Sequence, residues 1–304
     1  MNLPLIPVSI AAVLRTRPAR LGFLILMIVA AVAAIAAQQQ ELSEGLSRVT
    51  TAELSAALCL SLGYLFCAGK SWHAVLSGLG SEMTTHATLR IFFVSQIGKY
   101  LPGGIFSFAA AAEMSHDTGM ARRYTVSTLI ITLVLSVATG AALALALLPL
   151  AAPQALVSRW WTVLIALTVI AALHPALLKR ILSKAHVQTD RRLSGPSISM
   201  ASAWAIAGWS MIGLQVSVLA AAIGAPMTLH TAAVAVGGFA LAWVAGFIVL
   251  IAPAGFGPRE ATLTLVLATI LSPAEALMVA LLSRVIVTAA ELVAAGAGLA
   301  LPRR

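Results

Sequence analysis

Long apolar runs separated by short polar stretches dominate the chain. They fall at about residues 21–37, 52–68, 124–150, 160–178, 200–224 and 275–301. Each meets or approaches the ~20 residues that a helix needs to cross about 30 Å of hydrocarbon. None alternates as a barrel strand does, so all are predicted to be helices. Two further apolar stretches are interrupted: residues 89–113 by Pro102-Gly-Gly104, and 231–271 by Pro253-Ala-Gly-Phe-Gly-Pro258. Proline removes a backbone donor and glycine permits non-helical angles, so each stretch predicts two half-helices meeting at a turn. Such backbone persists at membrane depth only where protein or a wet cavity surrounds it.

The two breaks pair up. Pro102-Gly-Gly-Ile matches Pro253-Ala-Gly-Phe at an offset of 151 residues, close to half the chain. Residues 1–150 then form a first repeat, with spans at 21–37, 52–68 and 124–150 and a broken hairpin at 89–113. Residues 151–304 form the second, with spans at 160–178, 200–224 and 275–301 and a broken hairpin at 231–271. An odd number of crossings per half turns the second repeat upside down, the inverted plan of transporters. The expected fold is an all-α polytopic membrane protein with six spans plus two re-entrant hairpins. Eight full spans are the alternative; the hairpin is preferred because the run 261–271 is short for a crossing.

Composition agrees with a membrane solvent. Of the 304 residues 60% are hydrophobic and only 10% charged, against about 25% charged in a soluble domain; mean hydropathy is +0.99. A soluble enzyme, a disordered regulator and a disulfide scaffold are excluded as descriptions of the whole. The net charge of +9 belongs to loops that set orientation rather than to a nucleic-acid surface. With both hairpins re-entrant, the loop Lys and Arg residues fall on the cytoplasmic side, except Arg48 and Arg159. Both termini are then cytoplasmic, and Lys99, Arg259 and Arg284 stay within the membrane. The basic residues Arg15, Arg17 and Arg20 before the first run imitate a signal peptide, but a retained first span is expected. Cys59 and Cys67 are expected to be core residues.

The intramembrane charges are the candidate chemistry, since a charge at the bilayer centre costs about 2.5–3.5 kcal/mol on insertion scales. Lys99 precedes the first break by three residues. Arg259 follows Pro258 at the start of a half-helix, where a cation opposes the dipole unless an anion sits there too. Glu260 in the same first turn suits the dipole. Two such helix starts and two cations facing each other predict a phosphate-sized anion site near midplane, with Gly103 and Gly104 baring backbone N–H groups. Gln96 and Tyr100 are placed to hydrogen-bond a head group or to bridge helices. Arg284 and Glu291, seven apart on the last helix, share a face; Arg284 is expected to pair with Glu260 or Glu291, or to touch substrate. Glu113 and Glu291 are candidate proton carriers, although Glu113, with His116 and Asp117, also fits a solvated exit. No histidines carry metal-ligand spacing, and no nucleophile, P-loop or dinucleotide motif is present. No catalytic residue, cofactor or metal is therefore expected.

Gln96-Ile-Gly-Lys-Tyr-Leu-Pro-Gly-Gly104 and Pro253-Ala-Gly-Phe-Gly-Pro-Arg-Glu260 resemble the two motifs of the flippase-like membrane domain family, which includes the transmembrane region of lysylphosphatidylglycerol synthase. The resemblance runs from about residue 21 to 301. Two departures stand out: residues 108–113 (Phe-Ala-Ala-Ala-Ala-Glu) lack an Arg that often follows the first motif, and Pro258 replaces a small aliphatic residue. No counterpart of the synthase's soluble aminoacyl-transferase domain is found. The resemblance implies movement of an anionic lipid between leaflets of a bacterial-type plasma membrane, the cargo being a phospholipid or a polyprenyl-phosphate-linked sugar. The alternatives are a non-transporting accessory subunit of a membrane glycosyltransferase, and a lipid-phosphate-processing enzyme. A glycosyltransferase or lipid-modifying enzyme is the protein partner these readings allow.

Overall fold

A computed structural model of the chain describes residues 47–100, 106–151, 194–248 and 257–301. The expected spans at 21–37 and 160–178, with Gly103 and Gly104, lie outside these residues. Those described form eight α-helices and no strand. They are α1 (Thr51–Gly78), α2 (Thr85–Ser95), α3 (Phe106–His116), α4 (Arg122–Ala151), α5 (Gly195–Ile223), α6 (Leu229–Ile248), α7 (Pro258–Leu267) and α8 (Pro273–Ala300). A 3₁₀ turn, Gln96–Tyr100, follows α2 directly. Among the described residues, α1, α4, α5, α6 and α8 are long and apolar enough to cross a membrane.

Helix starts are set locally. Thr50 and Glu53 form a capping box before α1, as Ser272 and Glu275 do before α8, each satisfying two amide donors that the first turn leaves free. Ser194 caps α5 with Pro196 just inside, a position where the missing donor costs nothing. The helices overrun the apolar runs that predict them. α1 continues ten residues past the expected end at Ala68, through Lys70, Ser71 and His73. Partners make this possible: Lys70 lies over the Trp204 ring at 5.7 Å, Ser71 donates to the Ala201 carbonyl at 2.8 Å, and His73 bonds Thr85 and Thr88.

The helices pack as two matching sets. α1 lies along α5. α1 also meets α2, α4 and α8, while α5 meets α6, α8 and α4; α2 touches α3 and α8, and α6 touches α7 and α4; α3 packs on α4, and α7 on α8. Exchanging α1 with α5, α2 with α6, α3 with α7 and α4 with α8 maps this set onto itself. Buried polar side chains stitch the same seams. Trp72 Nε1 donates to Thr128 and Trp209 Nε1 to Thr139, at 3.0 and 3.1 Å, and Ser283 donates to Gln215 at 2.9 Å. Such bonds stabilise helix pairs in an apolar solvent by about 0.6 kcal/mol on average.

Contacts at the helix ends show where each broken segment begins and finishes. Tyr124, entering α4, donates to the Leu79 carbonyl at the end of α1, so the chain from α2 through α3 leaves and returns at one end of the bundle. Arg90 joins this end by donating to the Leu301 carbonyl after α8. At the other, Arg48 donates to the Ile223 carbonyl and lies 3.8 Å from Glu275, so the chain from α6 through α7 also leaves and returns at one end. The two segments differ in their arms. α2 and α3 have 11 residues each, whereas α6 has 20 and α7 has 10. At 1.5 Å per residue α6 is about 30 Å long, the length of a full crossing, as in the eight-span alternative, rather than of a half-helix.

One expectation is overturned. Cys67 is buried but Cys59 is exposed; eight residues along a helix place the two about 80° apart, on different faces.

Candidate functional site

The interior charges gather around the middle of α8. Arg284, Thr288 and Glu291 recur every three or four residues, which puts them on one face. Arg284 stands about 16 Å from the start of the helix and Glu291 about 14 Å from its end. Both are therefore near half the depth of a ~30 Å hydrocarbon layer.

The first break delivers its charge to this face. Lys99 Nζ donates to Glu291 Oε1 in an ion pair, and the Glu291 side chain is only 2% exposed. Tyr100 donates its hydroxyl to Glu291 Oε2 at 2.6 Å and lies 3.1 Å from Thr288 Oγ1. Thr288 in turn donates to the Arg284 carbonyl. The turn reaches in because Gly98 lies against the backbone that begins α3: a Cβ there would stand 2.7 Å from the Phe106 carbonyl carbon and the Ser107 nitrogen. Among the described residues Gln96 makes no side-chain hydrogen bond.

The second break supplies the other charges. Glu260 Oε2 accepts the Gly257 N–H at 2.6 Å, and its other oxygen lies 3.7 Å from Arg284 Nε. Of the two acidic partners expected for Arg284, the structure pairs it with Glu260. A carboxylate from the helix's own first turn thus occupies the Gly257 donor at this helix start. Arg259 is placed differently. It is buried at 8% exposure, and its guanidinium carbon sits 4.5 Å from the centre of the Phe239 ring. Among the described residues it makes no hydrogen bond and no ion pair. Its electrostatic neighbours are Arg284, Tyr64, Glu260 and Glu291.

Lys99, Arg259 and Arg284 face Glu260 and Glu291, so the cluster carries one net positive charge at ordinary protonation. Among the described residues the carboxylates offset two cations and leave a third. Beneath it lie Phe239 of α6, Tyr64 of α1 and Trp209 of α5, with ring centres 6.3–6.5 Å apart. Tyr64, Phe239 and Thr288 went unnoticed in the sequence because they are ordinary residues of apolar helices, marked by no motif. Glu113 is far from this role in character. It is exposed and accepts a bidentate pair from Arg122 at 2.7 and 2.8 Å, as a solvated exit would have it.

Comparison with known proteins gives one family. Residues 20–295 match the family described as the lysylphosphatidylglycerol synthase TM region. No curated protein matches the chain.

Proposed function

The chain belongs to the lysylphosphatidylglycerol synthase transmembrane-region family, and on that premise we propose that it moves an anionic lipid between membrane leaflets. The phosphate of the head group enters the cluster at mid-depth while the acyl or prenyl tails stay in lipid. Arg259 carries the reading. It is buried and cationic, and among the described residues none hydrogen-bonds or ion-pairs with it directly, Glu260 and Glu291 acting on it only from a greater distance. A buried charge without a counter-ion is costly, and a guanidinium fork matches a phosphate bidentately.

In this proposal the first broken segment is a re-entrant hairpin of two short arms, the second pairs the crossing-length α6 with the half-helix α7, and the two halves are inverted repeats that rock about the site. The reading is supported by the self-mapping contacts and by each segment's return to the end it left. Broken helices that meet near midplane between repeats mark the substrate site of many transporters. The membrane is a bacterial-type plasma membrane with both termini in the cytoplasm, as the distribution of Lys and Arg supports.

The test is leaflet exchange of a fluorescent phosphatidylglycerol in proteoliposomes. Wild type accelerates exchange, and Arg259→Ala slows it by about tenfold or more, the loss expected for one charge-assisted contact. An unchanged rate in the variant removes Arg259 from the site. No acceleration by wild type overturns translocation in favour of an accessory role, and a chemically altered lipid would favour an enzyme.

A further inference from the structure

Glu291 is the most enclosed acidic group of the cluster, and its two oxygens have different partners: Lys99 on one, Tyr100 on the other. Lys99 is the only one of these that an incoming phosphate can draw away as a cation. We propose that the cluster is a proton-coupled site: the lipid phosphate takes Lys99 from Glu291, and Glu291 takes up one proton that travels with the lipid. This rests on the translocation reading and adds its coupling.

The groups facing Glu291 can be named from each element packed on α8. The 3₁₀ turn brings Lys99 and Tyr100; α1 brings Tyr64 and α7 brings Arg259 and Glu260, the latter on Arg284, which lies on α8 itself. From α2, Arg90 reaches the Leu301 carbonyl at the helix end, and from α5 the polar contact is the uncharged Gln215. With Lys99 on Glu291 the cluster holds one net positive charge. A monoanionic phosphate reduces it to zero and leaves a carboxylate, enclosed at 2% exposure, without its cation. An unpaired buried carboxylate is far costlier than a neutral acid. A proton from water on the open side bonds to Glu291 Oε1, and the neutral acid keeps its contact with Tyr100. Lys99 and Arg259 hold the phosphate, and the net charge is restored to one. On release the O–H bond breaks, the proton leaves to water, and Lys99 returns.

Purified protein in weakly buffered detergent near pH 7 tests this, titrated with phosphatidylglycerol and in a second sample with an undecaprenyl-phosphate-linked sugar, both of them monoanionic phosphodiesters. Bound lipid and proton uptake are measured together. Wild type takes up roughly one proton per lipid bound, so the apparent affinity falls about tenfold per unit rise in pH. Glu291→Gln takes up none per lipid bound, and Glu113→Gln, altered at an exposed carboxylate, behaves as wild type. Lipid binding without proton uptake by wild type overturns the coupling alone, and that result decides even if Glu291→Gln does not fold. Uptake that persists in Glu291→Gln also overturns it. Binding of neither lipid overturns the translocation reading and the coupling with it.

Discussion

Gly69 and Gly213 occupy equivalent places in the two halves. Gly69 of α1 faces Phe92 of α2, and Gly213 of α5 faces Val236 of α6; adding 144 to either residue of the first pair gives the corresponding residue of the second. At both places the absence of a side chain lets two helices approach closely, the use to which small residues are put in membranes. The surroundings differ. A Cβ on Gly213 would stand 2.5 Å from the Val236 Cα, which is backbone, whereas one on Gly69 would stand 2.6 Å from the end of the Leu89 side chain.

Gly213→Ala therefore destabilises more than Gly69→Ala. Overpacking of this kind costs about 1–3 kcal/mol, and the upper part of that range is expected where backbone must move. Thermal unfolding in detergent gives the order; a larger loss at Gly69 would contradict the geometry.

The Lys99–Glu291 pair predicts a non-additive pattern. Removing one member of a buried pair costs about 3–5 kcal/mol because it strands the other charge. Lys99→Met and Glu291→Gln should each lower the unfolding midpoint, and the double variant should recover most of the loss. Additive losses would mean that the two side chains act independently.

Arg259→Lys separates charge from shape. The ammonium keeps the positive charge but cannot present a planar fork to phosphate. Lipid exchange should fall to a value between wild type and Arg259→Ala. Equality with wild type would show that a point charge is enough.

The Glu113–Arg122 pair responds to pH. The hydrogen bonds from Arg122, and its charge, hold the Glu113 carboxyl below its ordinary 4.5. The pair's contribution is then complete above the ordinary value and is lost as pH falls through the lowered one. A carbon-detected titration of the labelled carboxyl should show the low midpoint in wild type and a return toward 4.5 in Arg122→Gln.

The sequence disclosed the helices and their two breaks through local causes. Apolar length marks a span, and the stretches around Pro102 and Pro253, themselves outside the described residues, separate α2 from α3 and α6 from α7. It also identified the interior cations, because charge in an apolar run is conspicuous by itself. Which charge meets which is another matter. Lys99 and Glu291 are 192 residues apart, and their pairing depends on how the turn, α1 and α8 pack together. Arg284 had two acidic candidates at the level of pattern; only the placement of α7 beside α8 selects Glu260. Pattern alone leaves α6 open between a hairpin arm and a full crossing, because the apolar run from Thr231 suits either; its 20 residues have the length of a crossing.

Phe239 gives Arg259 an unusual kind of company. The ring's electron-rich face attracts the guanidinium, yet it has no proton to gain or lose and no lone pair that could occupy an N–H. The cation is thus stabilised from one side by something no visiting anion can outcompete, and among the described residues its hydrogen-bonding edge has no partner. A carboxylate in the same place would have shut the door; an aromatic ring leaves it on the latch.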